Sequence, residues 1–307
     1  MLTSAPAIMN VATADEQRAV LVTGASTGIG RNITERLASE RHYVYAGARK
    51  AADIAALTAI ANVQGIRLDV TIQEEIDAAV AHITKEGRGL YGLVNNAGAG
   101  VLLPLIEVDE ADMQFQMDVN LFGPYRVTKA FAPLIIESKG RITTTGSISG
   151  ILSGFLAGPY SMSKHAMEAY TDSLAREMEK FDVEVSIVEP GNYDSAIYGT
   201  LLRRMEQRDQ TGQGTLYEEE IAQFIERARN RGTDKAPDEV SAAVLHAMFD
   251  NNPKRRYMVV PNENQARITI QKVIEELVQL NERHEYSCDR DELIVFLDVA
   301  LESATEN

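Results

Sequence analysis

Tyr160 and Lys164 stand four residues apart, and Ser147 precedes the tyrosine by thirteen. On a helix, a four-residue spacing puts two side chains on one face. A free phenol has a pKa of about 10 and moves protons poorly near neutrality. An ammonium beside it favours the phenolate, so Lys164 is expected to lower the Tyr160 pKa and make it a usable acid/base. Ser147 follows the β-branched run Gly140–Thr145, which reads as a strand, and its hydroxyl is placed to hold a substrate oxygen. Singly, a Tyr–Lys pair is usually an amphipathic face and a Ser after a strand is usually a cap. Their weight comes from occurring together with a glycine-rich turn near the start of the chain.

Near the start of the chain an apolar run leads into Thr23-Gly24-Ala25-Ser26-Thr27-Gly28-Ile29-Gly30 and then a helical pattern. Glycines at this spacing permit a tight turn and let backbone N–H groups approach a pyrophosphate, with the helix N-terminus adding partial positive charge. About twenty residues on, a cofactor with a free ribose 2′-hydroxyl meets an acid, whereas a 2′-phosphate meets arginine. This chain has Ala48-Arg49-Lys50 there and no acid. The expected cofactor is NADP(H), with Arg49 reading the phosphate, and NAD(H) is the alternative.

These residues need a frame, and the hydrophobic pattern supplies one. Short β-branched runs at Ala19–Thr23, Tyr43–Gly47, Gly65–Leu68, Leu90–Asn95, Gly140–Thr145, Val183–Val188 and Arg256–Val260 read as strands. Helical patterns intervene at Gly28–Glu40, from Ala51, and at Ile72–Glu86, Asp109–Ile136 and Pro159–Phe181. This alternation predicts a Rossmann-like α/β fold: a doubly wound parallel sheet of about seven strands with helices on both faces. The segment from Ala196 to Lys235 breaks the rhythm beyond a strand's carboxyl end and is expected to be a substrate cover. Two amphipathic helices, Asn264–His284 and Asp291–Leu301, are expected to close the domain or form a subunit contact. Residues 1–18 read as a tail and 19–307 as one domain.

Further features sit along the same frame: Asn95-Asn96-Ala97-Gly98, Asp69-Val70, Asn120, Tyr160-Ser161-Met162-Ser163-Lys164 and Pro190-Gly191. With the glycine turn and Ser147, they resemble the classical short-chain dehydrogenase/reductase family over residues 19–195. Part of the stretch is similar to the family's hydroxysteroid and retinol dehydrogenase branch. The resemblance implies a catalytic tetrad of Asn120, Ser147, Tyr160 and Lys164, with Asn120 supporting a water-linked proton relay and Lys164 also reaching a ribose. It implies cofactor contacts from Thr23, Gly24, Ser26, Thr27, Gly28, Ile29, Gly30, Asp69, Val70, Asn95, Ala97, Gly98, Pro190 and Gly191. Ser195 stands where the family often has Thr. His165, next to Lys164, is read as structural. By the same analogy the protein is a homodimer or homotetramer.

Composition narrows the partners. The chain has 307 residues, 45% of them hydrophobic, with 45 acidic against 30 basic residues and a net charge of −15. That balance argues against nucleic acid. One cysteine, Cys288, leaves no intrachain disulfide and no zinc cluster, so no metal is expected and the cytoplasm is the expected compartment. No apolar run is long enough for a membrane span. Val101–Leu103, Ile148–Leu156, Ile197, Tyr198, Leu201 and Leu202 are expected to ring the reacting carbon, favouring an apolar alcohol or ketone as substrate. Two other classes stay open: a non-catalytic NADP-sensing regulator, and an epimerase or dehydratase with no net redox change.

Overall fold

The computed structural model describes residues 17–230 and 234–305; the tail expected at 1–18 lies almost wholly outside these residues. Seven strands form one parallel sheet: β1 (Ala19–Val22), β2 (Tyr43–Ala48), β3 (Val63–Arg67), β4 (Gly92–Asn95), β5 (Arg141–Thr145), β6 (Glu184–Pro190) and β7 (Arg256–Val259). Their spatial order is β3-β2-β1-β4-β5-β6-β7, so the winding reverses beside β1. Ligands of open α/β sheets bind in the crevice at the carboxyl ends beside such a reversal.

The sheet alternates its side chains between two apolar layers. Val20, Val22, Val94 and Val188 pack toward α1 (Gly28–Ser39), α2 (Ala51–Thr58) and α9 (Asp238–Phe249). Leu21, Leu93, Ile142 and Val185 pack the other way, against α3 (Gln73–Glu86), α5 (Gly123–Glu137) and α6 (Gly158–Met178). Both faces are covered, which is why β1 is buried at every position. Helix α9 was not predicted from the sequence. Its buried residues, Val240, Ser241, Val244, Leu245, Ala247 and Met248, fall at helical spacing, and Gly232 and Pro237 just before it are the breaks that could have marked its start.

The long helix expected at Asp109–Ile136 is divided. Helix α4 (Glu110–Met117) passes into a π turn, Asp118–Phe122, before α5 begins. The Gly123 N–H reaches back five residues to the Asp118 carbonyl, and Pro124 has no N–H to offer the Asn120 carbonyl. Glycine is required at 123 because a Cβ there would lie 2.6 Å from a Val70 methyl.

After β6 come α7 (Ile197–Gln207) and α8 (Glu218–Arg229). Helix α7 is pinned to α4 through fully buried Asp112, which accepts bonds from Arg204, Arg208 and Gln210. Helices α10 (Glu263–Asn281) and α11 (Arg290–Thr305) complete the described chain. The stripe Ile270, Val273, Ile274, Leu277 and Leu280 is about half exposed or more, so it does not close the core. No described helix is long and apolar enough to cross a membrane.

Candidate active site

At the carboxyl ends of the strands lies a cavity of about 470 Å³. Its floor is the glycine turn. Gly24 and Gly28 have φ of 65° and 54°, in the left-handed region that favours glycine. A Cβ on Gly30 would fall 2.3 Å from both the Gly24 carbonyl oxygen and the Asn96 side-chain nitrogen. One on Gly28 would press on Ser195 and Ala196 at 3.2 Å. Helix α1 starts beneath this turn with no side-chain cap and no acid in its first turn, so its leading N–H groups face the cavity uncompensated.

Ser26, Thr27, Ile29, Ala97, Gly98, Pro190, Gly191 and Ser195 line the same space. At the far end stand Ala48, Arg49, Asp69 and Val70. The Arg49 guanidinium is two-thirds exposed and lies 3.8 Å from the Asp69 carboxylate, too long for a hydrogen bond. Asp69 in turn accepts from the Thr71 N–H at 3.0 Å and its hydroxyl at 2.7 Å.

Three residues of the sequence-predicted set stay behind the wall. The Thr23 hydroxyl takes the N–H groups of Asn96 and Ala97, both at 3.0 Å, and so fastens the end of β1 to the loop after β4. The Asn95 amide donates to the Thr128 hydroxyl at 2.9 Å, tying β4 to α5. Asn120, on the π turn, is also buried. Its amide donates to the Ala99 carbonyl and the Ser163 hydroxyl, both at 3.0 Å, and its oxygen takes the Ala99 N–H at 2.8 Å. In this arrangement it holds the loop after β4 against α6 rather than touching Lys164.

Ser147, Tyr160 and Lys164 meet on the opposite wall. Ser147 caps the short turn Ile148–Gly150 by accepting from the Ser149 N–H at 3.1 Å, and its hydroxyl also bonds the Tyr160 phenol. Lys164 donates to the Thr145 carbonyl at 2.9 Å, and its ammonium sits 5.8 Å from the centre of the Tyr160 ring.

The charge balance differs from the sequence expectation. Burial pushes the Tyr160 phenol up to about 12, with the Ser147 hydrogen bond opposing and Tyr198 reinforcing the rise. Burial likewise brings the Lys164 ammonium down to about 8, opposed by the Glu168 carboxylate. Desolvation therefore outweighs the lowering of Tyr160 expected from Lys164. His165 turns away and bonds the Ser161 carbonyl at 2.9 Å.

Around the reacting end, Leu102, Phe115, Ala157, Ile197, Tyr198 and Leu201 supply apolar wall. Val101, Leu103 and Leu156 were expected there too, but they pack into the cluster beneath α7. Phe115 was missed although it stands five residues before Asn120, because the sequence does not show which face of α4 meets the cavity. Asn96 was missed as a support of the glycine turn, although it stands beside Asn95. Gln265 was also missed: its side-chain oxygen takes the Asn192 N–H at 2.9 Å and so anchors the turn after Pro190.

The family model described as short chain dehydrogenase matches residues 18–206. The chain is 31% identical to the "Uncharacterized oxidoreductase YbbO" of Escherichia coli over 79% of this chain and 86% of that protein. It is 33% identical to the mitochondrial D-beta-hydroxybutyrate dehydrogenase of Bos taurus, over 78% of this chain and 76% of that one. A short-chain dehydrogenase structure from Streptomyces avermitilis superposes with a TM-score of 0.73 at 27% identity, covering 88% of this chain and 96% of that one. Two more share the fold at 23% identity. One, from Burkholderia cenocepacia, is a complex with NADP and has a TM-score of 0.67, covering 86% of this chain and 96% of its own. The other, from Burkholderia phymatum, is a complex with NAD and has a TM-score of 0.73, covering 89% and 97%. The chain belongs to the short-chain dehydrogenase/reductase family of oxidoreductases.

Proposed function

We propose that the protein is an NADP(H)-dependent carbonyl reductase or alcohol dehydrogenase acting on an apolar substrate, with Ser147, Tyr160 and Lys164 as its catalytic residues and Asn120 as a positioning residue behind them. The observation that carries this reading is the convergence of Ser147, Tyr160 and Lys164 on one wall of a cavity whose floor is the glycine turn. The residues fit a dinucleotide. Gly24, Gly28 and Gly30 leave no room for a Cβ against Ala97, Ser195 and the Gly24 carbonyl, so the turn is packed tight under the cavity, and the uncapped start of α1 offers N–H donors to a pyrophosphate. Related folds hold NADP in one structure and NAD in another. Arg49, with no acid at the end of β2, favours the 2′-phosphate form.

When bound, the reduced nicotinamide supplies a hydride to the carbonyl carbon. Tyr160, protonated at neutral pH, donates its phenolic proton to the carbonyl oxygen as the alcohol forms, and water later restores that proton. The Ser147 hydroxyl holds the same oxygen and orients the carbon. Lys164 supplies positive charge beside the phenol and a donor for the ribose. Asn120 keeps the loop after β4 and α6 in register for this pair. Leu102, Phe115, Ile197 and Tyr198 favour an apolar substrate by excluding water.

The fold elements from 19 onward act as one unit, with the described residues of the segment at 196–235 as its cover; 231–233 lie outside the described residues. A homodimer or homotetramer follows by analogy with the family, and the cytoplasm as compartment follows from the single cysteine, Cys288. The test of function is absorbance at the nicotinamide band. Steady NADPH oxidation on adding an apolar ketone supports the reductase. Tight NADPH binding without turnover in either direction, across a broad panel, would instead favour an NADP sensor.

A further inference from the structure

Helix α6 carries one more acidic residue on the face that bears Tyr160 and Lys164. Glu168 lies one helical turn beyond Lys164, at the position that continues the same stripe. It does not line the cavity. Its carboxylate is nearly buried, at 12% exposure, and is held from behind by Arg256 of β7. Arg256 also binds Glu189 of β6 at 2.9 Å and Asp172 of α6 at 2.6 Å. Glu189 is buried at the carboxyl end of β6, directly before the Pro190–Gly191 turn.

The other Glu168 oxygen points toward the active-site loop. A Cβ on Gly146 would lie 3.2 Å from it, and one on Gly150 only 2.5 Å. Those glycines flank Ser147 and its short turn, so the backbone is kept bare where the carboxylate is seated. That oxygen is buried and has no hydrogen-bond donor. The charged groups facing it are Lys164 on its own helix, Glu189 from β6 and Arg256 from β7; the turn Ile148–Gly150 brings none.

We propose that Glu168 is a positioning residue of the catalytic centre, whose carboxylate sustains the Lys164 ammonium from behind the cavity wall, with Glu189 and Arg256 setting how much negative charge it carries. A buried ammonium needs a compensating anion, since desolvation alone drives it toward the neutral amine. Two neighbouring carboxylates disfavour each other's ionisation, and one arginine shared between them relieves this only in part. Burial and the Glu189 carboxylate together push Glu168 up to about 8, so its charge varies in the range where Lys164 also titrates. The assignment of a catalytic role to Lys164 rests on the function proposed above. The charge coupling itself does not.

The test is an NMR titration of the Lys164 side chain in the full-length protein carrying ¹³C-labelled lysine, its signal assigned by its loss in Lys164→Met. Glu168→Gln removes the sustaining charge, and the Lys164 midpoint falls by roughly one pH unit. Glu189→Gln removes the competing carboxylate, and the midpoint rises. A midpoint that stays fixed in both variants, or moves the same way in both, overturns the proposal. Should Glu168→Gln fail to fold, Glu189→Gln decides alone: a rise supports the coupling and anything else refutes it. The alkaline limb of kcat/KM moves with the same signs, which a purely structural role would not produce. Opposed shifts in a protein that turns over no substrate would leave the coupling standing and reject the reductase reading.

Discussion

Lys164 donates to the Thr145 carbonyl at 2.9 Å, so the last residue of β5 and the second turn of α6 hold one ammonium between them. Thr145 is two residues before Ser147, and Lys164 is four after Tyr160. One hydrogen bond therefore fixes the serine-bearing loop and the tyrosine-bearing helix in a single frame. It also occupies one of the three ammonium donors and leaves the others for the cavity. The consequences can be measured.

Replacing Tyr160 with Phe removes the proposed proton donor and keeps the ring. The rate of ketone reduction is expected to fall by about 10²–10⁴-fold, the usual contribution of a positioned general acid. The NADPH dissociation constant, read by fluorescence titration, is expected to change little. A variant with near-normal turnover would remove Tyr160 from the mechanism.

The pH profile of reduction follows from the two shifted groups. Tyr160, raised to about 12, stays protonated through neutral and mildly alkaline pH. Lys164, lowered to about 8, loses its charge first. With the charged lysine as the active form of the proposed mechanism, kcat/KM is expected to be flat below about 8 and to fall as pH rises through that value. A rate that instead climbs through this range would mean that neutral Lys164 is the active form.

Gly30→Ala tests the floor of the cavity. The added Cβ would lie 2.3 Å from the Gly24 carbonyl oxygen, which is backbone and cannot swing aside. We expect a loss of stability of about 1–3 kcal/mol and at least tenfold weaker NADPH binding. Thermal denaturation and a binding titration measure the two separately.

Asp112→Asn tests the hold on α7. Asp112 is fully buried, while Arg204 and Arg208 keep a quarter to a third of their side-chain exposure. The expected loss is about 1–3 kcal/mol, below that for breaking a fully buried ion pair. Because Ile197, Tyr198 and Leu201 of α7 line the cavity, substrate KM should rise more than kcat falls, with NADPH affinity unchanged. Steady-state kinetics with either substrate varied would show this.

The parts of this arrangement that sequence made legible are those in which local chemistry repeats a physical demand. The glycine turn must be glycine because Gly24 and Gly28 have positive φ, and β1 must be apolar throughout because both faces are covered. The division of the helix expected at Asp109–Ile136 falls at Val119-Asn120-Leu121-Phe122-Gly123, where Asn and Gly are weak helix formers, and its form as a π turn depends on Pro124 and on the contact between Gly123 and Val70. What remained hidden depends on distance in sequence. Glu168, Glu189 and Arg256 come from α6, β6 and β7, and only the sheet order brings them together. The Tyr160 pKa was misjudged for a related reason: spacing reveals the neighbouring lysine but not the depth of burial that outweighs it.

The central claim is hydride transfer between the nicotinamide and an apolar carbonyl carbon at the Ser147–Tyr160–Lys164 wall. The most direct measurement uses NADPH deuterated at the transferring position of the nicotinamide C4, an apolar ketone and the purified protein, with mass spectrometry of the product. We predict one deuterium on the carbinol carbon for each NADPH consumed, with no product from Tyr160→Phe at comparable times. Product without deuterium, or conversion of substrate with no net NADPH consumption, would contradict the account.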